Sequence, residues 1–493
     1  VTTLAAVDLG AQSGRVALGR FDGDRLSVDE AHRFPNGPVE ESGMLVWDAG
    51  RIFDGVLEGL GRAAVGGDGV DSVGVDAWGV DFGLLDGAGR LLRNPVHYRD
   101  ARRARAYAEV LERVPAREIY ERTGIQLMPI NTLFELAGMA AEGDPALAEA
   151  RTLLLIPDLL HHLLCGAVTT EHTNATTTQC LDPRTGGWAH DLLAGLAVPL
   201  EVLPEVVPPG TVLGPLRPDV AERTALGGAT VVAVATHDTA SAVAAVPFRA
   251  PDSAYISAGT WSLVGLELPA ARIDDATFAA NLTNEGGIGG TFRLLRNVTG
   301  LWLLHECRRT WEREGLPLDY DRLVALADDA PPLRSLVDPD DPRFASPGDM
   351  PERVREFCRE TGQEPPEAPA EVVRCVLESL ALKHAHVIGV LREATGADPA
   401  EVHVVGGGAR NERLCRWTAD AAGLPVLAGP EEATLVGNML GQILAAGEVA
   451  SLAEARDVVR ASFAPRVHEP AGGGGWGEAG ERFAGLLRAG AAS

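Results

Sequence analysis

The sequence predicts an α/β protein of two related domains, and three observations carry that reading. The chain has 493 residues, more than one hydrophobic core usually serves, so two domains are expected. A strand, a small polar turn with glycine and a second strand occur twice, at residues 4–21 and again at 254–268. Between the copies, residues 231–235 form an apolar run with the β-branched content of a buried strand. That run breaks into Thr236-His237-Asp238-Thr239 before small residues that suit a tightly packed helix. In α/β proteins ligand chemistry gathers at the carboxyl ends of strands. Asp238 stands there as an acceptor near a helix N-terminus, with Thr239 in a capping position.

Composition narrows the function. Hydrophobic residues make up 46% and charged residues 23%, ordinary for a globular protein. A net charge of −26 repels nucleic acid and anionic membranes, so neither is expected as a partner. An anionic ligand then needs local dipoles, a metal ion or a few placed cations. The six cysteines, at 165, 180, 307, 358, 375 and 415, form no Cys-x-x-Cys pair, which argues against a zinc or thioredoxin-type site. The first residues lack a basic start and a long apolar core, so the expected compartment is the cytosol. The most apolar window, 153–168, is interrupted by Pro157, Asp158, His161 and His162, which argues against a membrane span.

Along the chain, Asp8 is an acid in an apolar strand, costly to bury unless it is paired, hydrogen-bonded or near a metal. The turn beside it, residues 10–14, offers glycine N–H groups and the Ser13 hydroxyl, which can cradle phosphate oxygens; a plain hairpin turn is the alternative. Residues 26–33 read as a strand and 48–65 as a helix capped by Asp48. The strand at 70–76 ends in Asp76-Ala-Trp-Gly79-Val-Asp81, which suits a polyol site: the ring covers a sugar's apolar face and the acids accept its hydroxyls. The alternative there is a buried Trp with two surface acids. Asp100 is a natural cap for a helix at 101–113, and 132–142 is another helix. Residues 170–178 are too dense in hydroxyls and amides for a simple core element. Residues 292–297 form a strand, 300–305 open a helix, and 369–395 form a long helix stopped by Gly396. A strand at 402–405, three glycines and then a helix make a backbone approach site for a nucleotide. Neither a dinucleotide fingerprint nor a P-loop is present.

Together these stretches resemble the FGGY carbohydrate kinases. The resemblance rests on Val7-Asp-Leu-Gly-Ala-Gln-Ser-Gly-Arg15, Val75-Asp-Ala-Trp-Gly-Val-Asp-Phe82, Tyr98-Arg-Asp100 and Thr173-Asn-Ala-Thr-Thr-Thr-Gln179. It continues through Ala235-Thr-His-Asp-Thr-Ala-Ser-Ala242, Ser257-Ala-Gly-Thr-Trp-Ser262, Asn281-Leu-Thr-Asn-Glu-Gly-Gly287, Asn297 with 300–304, and Val404-Val-Gly-Gly-Gly-Ala-Arg-Asn411. It implies the two-domain actin-like (ribonuclease H-like) ATPase fold with the active site in the interdomain cleft. The implied domains are 1–246 for sugar and phosphate, 247–470 for nucleotide, and a Gly-rich tail with a short terminal helix at 471–493. It also implies roles. Asp238 is the expected catalytic base. Ala11, Gln12, Ser13, Gly14, Arg15 and Thr260 match the phosphate-gripping turns, and Gly407, Gly408 and Asn411 the nucleotide wall. Gly79, His237, Asp238, Thr239 and Asn297 match sugar-contacting positions. Asp8 is expected beside Mg²⁺ through water. His305 departs from the pattern, where the family carries a Gln that helps hold the nucleotide; an imidazole can also donate a hydrogen bond. The expected partners are ATP and a small sugar, L-rhamnulose first, with L-fuculose or a xylulose as alternatives. An actin-like ATPase switch without sugar chemistry is the remote alternative.

Overall fold

The computed structural model describes residues 1–65, 69–250 and 252–490. It divides into two compact units, each assembled from three stretches of chain. The first comprises Val1–Pro247, Glu267–Leu294 and Ala433–Phe463; the second comprises Phe248–Leu266, Leu295–Glu432 and Ala464–Ser493. Of the expected domains, residues 66–68 of the first, Pro251 of the second and 491–493 of the tail lie outside the described residues.

The first unit is built on strands β1 (Thr2–Leu9), β2 (Ser13–Phe21), β3 (Leu26–Pro35), β4 (Ser72–Ala77), β5 (Thr211–Pro215) and β6 (Thr230–Ala233). Their order is β5-β6-β4-β1-β2-β3. β1 is buried on both faces from Thr3 to Leu9, which its run of apolar residues allows. It pairs antiparallel with β2 and parallel with β4, and β4 pairs parallel with β6. The parallel pairs bring the carboxyl ends of β1, β4 and β6 to one edge, where Asp8, Asp76 and the segment after β6 sit. Helix α1 (Ala49–Ala64) covers this sheet with Ile52, Val56, Leu57 and Leu60, a spacing that places them on one face. Asp48 caps it by accepting from the Arg51 N–H at 2.9 Å.

Two further helices lie behind the site. α2 (Asp238–Ala244) is short and made mostly of small residues; α3 (Ala433–Ala445) packs against it. At Gly437 the helices meet backbone to backbone: a Cβ there would fall 1.7 Å from the Ser241 carbonyl oxygen. Gly437 on α3 and the small residues of α2 together let the two helices come this close.

The second unit repeats the arrangement. Its strands are β7 (Ala254–Ala258), β8 (Trp261–Leu268), β9 (Phe292–Thr299), β10 (Val402–Val405), β11 (Val426–Ala428) and β12 (Arg466–His468). They run in the order β9-β8-β7-β10-β11-β12, and a seventh, edge strand, Thr283–Gly286, pairs beyond β9. β7 and β8 form an antiparallel hairpin, β7–β10 and β10–β11 are parallel, and β11–β12 is antiparallel. Apart from that edge strand the order matches the first unit, so the twice-occurring hairpin of the sequence marks a duplicated sheet.

The helices Ala101–Arg113, Thr132–Glu142 and Pro369–Thr395 have the bounds expected from sequence, and Gly396 takes the left-handed φ of 77° that stops the last. Three expectations shift. β6 ends at Ala233, and α2 begins at Asp238 with His237, not Thr239, in the capping position. Past the three glycines a short turn, Gly407–Arg410, precedes the helix Glu412–Ala422, which Asn411 caps by accepting from the Leu414 N–H at 3.0 Å. The hydroxyl-rich stretch is wholly internal. Thr176, Thr177 and Thr178 donate to the carbonyls of Thr173, Asn174 and Ala175 at 2.6–2.8 Å, so their polar groups are satisfied without water. Among the described residues no helix is long and apolar enough to cross a membrane.

Candidate active site

Three acids converge at the strand ends of the first unit, each in a different state. Asp8 stands opposite Asp76 in the β1–β4 register and opposite Arg15 in the β1–β2 register. It forms an ion pair with Arg15. Asp76 is fully buried. Its Oδ2 accepts from Asn438 Nδ2 at 2.6 Å, while Oδ1 has no protein partner. Burial, then the neighbouring Asp8 carboxylate, push the Asp76 carboxyl well above the usual carboxylate range. Asn438 is held by Gln442, whose Nε2 reaches Asn438 Oδ1 at 2.8 Å and the Ala5 carbonyl at 3.0 Å. Gly74 makes room for this pair, since a Cβ there would lie 2.3 Å from Asn438 Oδ1.

Asp238 is the accessible acid of the three, its side chain 30% exposed. Burial is the largest influence raising its carboxyl, with the Asp8 charge adding to it and His237 opposing. Its Oδ1 accepts from the Thr239 N–H at 2.5 Å and the Thr239 hydroxyl at 3.2 Å, and lies 3.4 Å from His237 Nε2. These contacts all fall on one carboxyl oxygen.

The backbone leading to Asp238 is fixed by a residue the sequence reading did not single out. Glu171 is fully buried. Its carboxylate accepts from the Thr173 N–H at 2.8 Å, the Thr173 hydroxyl at 2.5 Å, the Thr236 N–H at 2.9 Å and the Thr236 hydroxyl at 2.8 Å. Thr173 Oγ1 in turn accepts from the His237 N–H at 3.2 Å. Beyond His237 stands a second unexpected pair, Glu285 and the fully buried Arg293, whose Nη2 lies 3.1 Å from Glu285 Oε2 and 3.1 Å from His237 Nδ1. Burial tends to raise the Glu285 carboxyl, but Arg293 and His237 outweigh it and hold Glu285 below its ordinary value.

The pairing of Asp76 and Asp81 in a polyol site is corrected by the structure. Asp81 is fully buried, and Oδ2 accepts from Trp47 Nε1 at 2.6 Å, Trp78 Nε1 at 3.0 Å and the Tyr98 N–H at 3.2 Å. Oδ1 takes Arg103 Nη2 at 2.6 Å. Fully buried and holding four donors on its two oxygens, Asp81 organises an aromatic cluster and does not present itself to a ligand. Arg103 also pairs with Glu135. Two buried carboxylates thus share one guanidinium, and Glu135 yields: burial pushes it from 4.5 up to about 7, with Arg103 opposing and Asp81 adding. A carboxyl raised in the folded state contributes stability that is full below its unfolded value and lost as pH rises through its folded value. The thermal midpoint should therefore fall between pH 5 and 8, and Glu135→Gln should flatten that slope. Parallel slopes for the two proteins would exclude Glu135 as the titrating group.

The remaining expected residues fall into two groups. In the first unit, the 10–14 turn is closed by Gly10 N–H to the Ser13 carbonyl at 3.0 Å and braced by Asn36, which donates to Gly10 and Gln12 carbonyls at 2.8 and 3.0 Å. Those carbonyls face inward, leaving Ala11, Gln12 and Ser13 half-buried at the tip. Gly79 is half-buried beside Thr177, whose Oγ1 would lie 2.6 Å from a Cβ there. In the second unit, the Thr260 carbonyl accepts from Gly300 and Trp302 N–H at 3.1 and 3.2 Å, tying that turn to the helix Trp302–Arg313 that bears His305. Gly406 and Gly408 pack on Ala258 at the end of β7, where a Cβ on Gly408 would fall 2.4 Å from that side chain. Asn411 Nδ2 donates to Tyr320 Oη at 3.2 Å, and Tyr320 meets the His305 ring edge-on at 6.0 Å. Burial holds His305 down to about 4, so it is a neutral imidazole at physiological pH. Thr260, His305, Gly408 and Asn411 are thus linked through a few contacts, while Asn297 lies on β9, before the Gly300 turn.

Among the described residues no three His, Cys, Asp or Glu side chains form a ready metal cage. Asp8 supplies one carboxylate beside a glycine turn. That donor set suits Mg²⁺, which keeps several waters and binds through one or two carboxylates plus phosphate oxygens.

Residues 3–245 match the N-terminal domain, and 254–446 the C-terminal domain, of the FGGY family of carbohydrate kinases. The chain is 42% identical to a rhamnulokinase of Bacteroides thetaiotaomicron, over 98% of this chain and 99% of that one. It is 39% identical to a rhamnulokinase of Enterococcus faecalis, over 95% and 94%. Solved structures share the fold at lower identity. A gluconate kinase from Lactobacillus acidophilus superposes with a TM-score of 0.79 at 17% identity, covering 99% of this chain and 96% of that one. A xylulose kinase from Rhodospirillum rubrum gives 0.78 at 21%, covering 99% and 98%.

Proposed function

The chain belongs to the FGGY family of carbohydrate kinases, and from that premise we propose that it transfers the γ-phosphoryl group of ATP to L-rhamnulose, giving L-rhamnulose 1-phosphate and ADP. The sugar kinase class follows from the family. The choice of sugar is supported by the relatives named above, and the cytosol is the proposed compartment. The observation that carries the chemistry is Asp238: among three clustered acids it is the most accessible, its side chain 30% exposed, at the start of a helix and beside Asp8.

Phosphoryl transfer through a loose transition state needs positioning and charge neutralisation more than covalent help. Asp238 accepts the proton of the sugar's primary hydroxyl as that oxygen bonds to the γ-phosphorus and the bond to the β-phosphate oxygen breaks. A carboxyl raised above its usual range is the better base at neutral pH, since catalytic groups work best near the operating pH. His237, Thr239, Gly79 and Asn297 orient the sugar. Ala11, Gln12, Ser13, Gly14 and Arg15 form one phosphate-gripping turn, and Thr260 belongs to the other. Gly407, Gly408, Asn411 and His305 hold the nucleotide. Asp8 would hold Mg²⁺ here, and the ion would supply positive charge to the phosphate oxygens.

The test is ADP release with Mg-ATP across L-rhamnulose, L-fuculose, xylulose and glycerol, with a blank lacking sugar. L-Rhamnulose should give the largest sugar-dependent rate. A larger rate with another sugar would move the substrate assignment. Rates no higher than the blank for every sugar would overturn the reading and favour an ATPase switch.

A further inference from the structure

We propose that Arg293 sets the tautomer of His237 and thereby aims Asp238 at the sugar hydroxyl. The proposal rests on Asp238 being the base. Arg293 has no exposed surface, and a buried guanidinium is costly unless its hydrogens are engaged. Its Nε donates to the Gly286 carbonyl at 3.0 Å, and its Nη2 lies 3.1 Å from both Glu285 Oε2 and His237 Nδ1. A guanidinium donates and never accepts. The ring nitrogen that receives it is therefore the lone-pair nitrogen, and the hydrogen of a neutral His237 sits on Nε2. Nε2 faces Asp238 Oδ1 at 3.4 Å, so this tautomer points an N–H at the carboxylate.

The alternative tautomer places the hydrogen on Nδ1, toward Glu285 Oε2 at 3.2 Å. It sets an N–H against the N–H of Arg293 and a bare nitrogen lone pair against the Asp238 carboxylate. Both contacts are repulsive; the first tautomer avoids both, and its one opposed contact, the Nδ1 lone pair against Glu285 Oε2 at 3.2 Å, is offset by Arg293 Nη2, which lies 3.1 Å from both atoms. Glu285 then serves as countercharge to Arg293. Asp238 Oδ1 accepts from the Thr239 N–H and the Thr239 hydroxyl, and the Nε2–H of His237, 3.4 Å away, adds an electrostatic attraction that favours one orientation of the carboxyl group. Lysine cannot reproduce this, because the planar fork of arginine reaches Gly286, Glu285 and His237 at once. Arg293 is fully buried and meets His237, so it acts through that ring as a positioning residue.

Nitrogen-15 NMR of the histidine-labelled protein reads the tautomer directly, with the His237 signal assigned by its loss in His237→Asn. The parent should show the Nε2–H form at His237. Arg293→Met should lose that fixed form and lower kcat by roughly 10–100-fold, with KM for Mg-ATP unchanged; Arg293→Lys should recover only part of the rate. An Nδ1–H ring in the parent would overturn the proposal, and that measurement needs no variant to fold. Retention of the Nε2–H form in Arg293→Met alongside a loss of rate would reduce Arg293 to a structural part and also overturn it. If instead Asp238→Asn keeps near-normal turnover while the ring behaves as expected, the base assignment fails and the tautomer assignment stands by itself.

Discussion

Asp238→Asn is expected to leave ATP binding intact and to lower turnover by roughly 10²–10⁴-fold. The two side chains have nearly the same shape, and the amide oxygen can still accept from the Thr239 N–H, so the start of α2 should keep its geometry. What disappears is the capacity to take a proton. Positioning of the two substrates and charge neutralisation remain, which is why the loss stays far from complete. Calorimetric titration with ATP and steady-state ADP release separate the two effects. Turnover near that of the parent would remove Asp238 from the role of base.

The largest effect on stability is expected from Glu171→Ala, a loss of roughly 3–5 kcal/mol in the first unit. The carboxylate accepts four hydrogen bonds inside the protein, from two N–H groups and two hydroxyls. Truncation leaves all four donors buried without an acceptor, and an unmatched buried donor costs more than the bond it loses. Thr236 would be released with them, so turnover should fall as well. Glu171→Gln keeps one acceptor oxygen but turns an amide N–H₂ toward groups that are themselves donors, and an intermediate loss is expected. Urea unfolding followed by intrinsic fluorescence measures both. A change within about 0.5 kcal/mol for the alanine variant, the range of an ordinary surface substitution, would mean that Glu171 does not anchor this loop.

Elements whose ends carry local chemical signals were legible in the sequence. The helix Pro369–Thr395 begins with a proline suited to a first turn and ends at a glycine in the left-handed region, both visible without any tertiary information. Asp48 and Asp100 announced their helices for the same reason. The duplicated sheet was visible through its two hairpins, since each is a local unit. The state of the buried acids was not legible. Whether Asp81 faces a ligand or a core depends on Trp47, Tyr98 and Arg103, which lie 17 to 34 residues away. Glu171 looked like one polar residue among many because its partner Thr236 is 65 residues distant. Arg293 carried a faint signal, a charge within the apolar strand Phe292–Thr299, yet its significance depends on His237, 56 residues earlier.

The bond between Asn438 and Asp76 joins residues 362 positions apart. A ribosome has made most of the chain before the partner of Asp76 exists. Until then the parallel strands β1 and β4 bring Asp8 and Asp76 side by side with neither Asn438 nor the helix that carries it in place. At the usual pace of synthesis, about 5–20 residues per second, that interval lasts tens of seconds. During it the apolar surface that α3 will cover is open to water and to other chains. Expression yield and aggregation during synthesis should therefore respond to changes in this late segment more than to changes in the helices completed early.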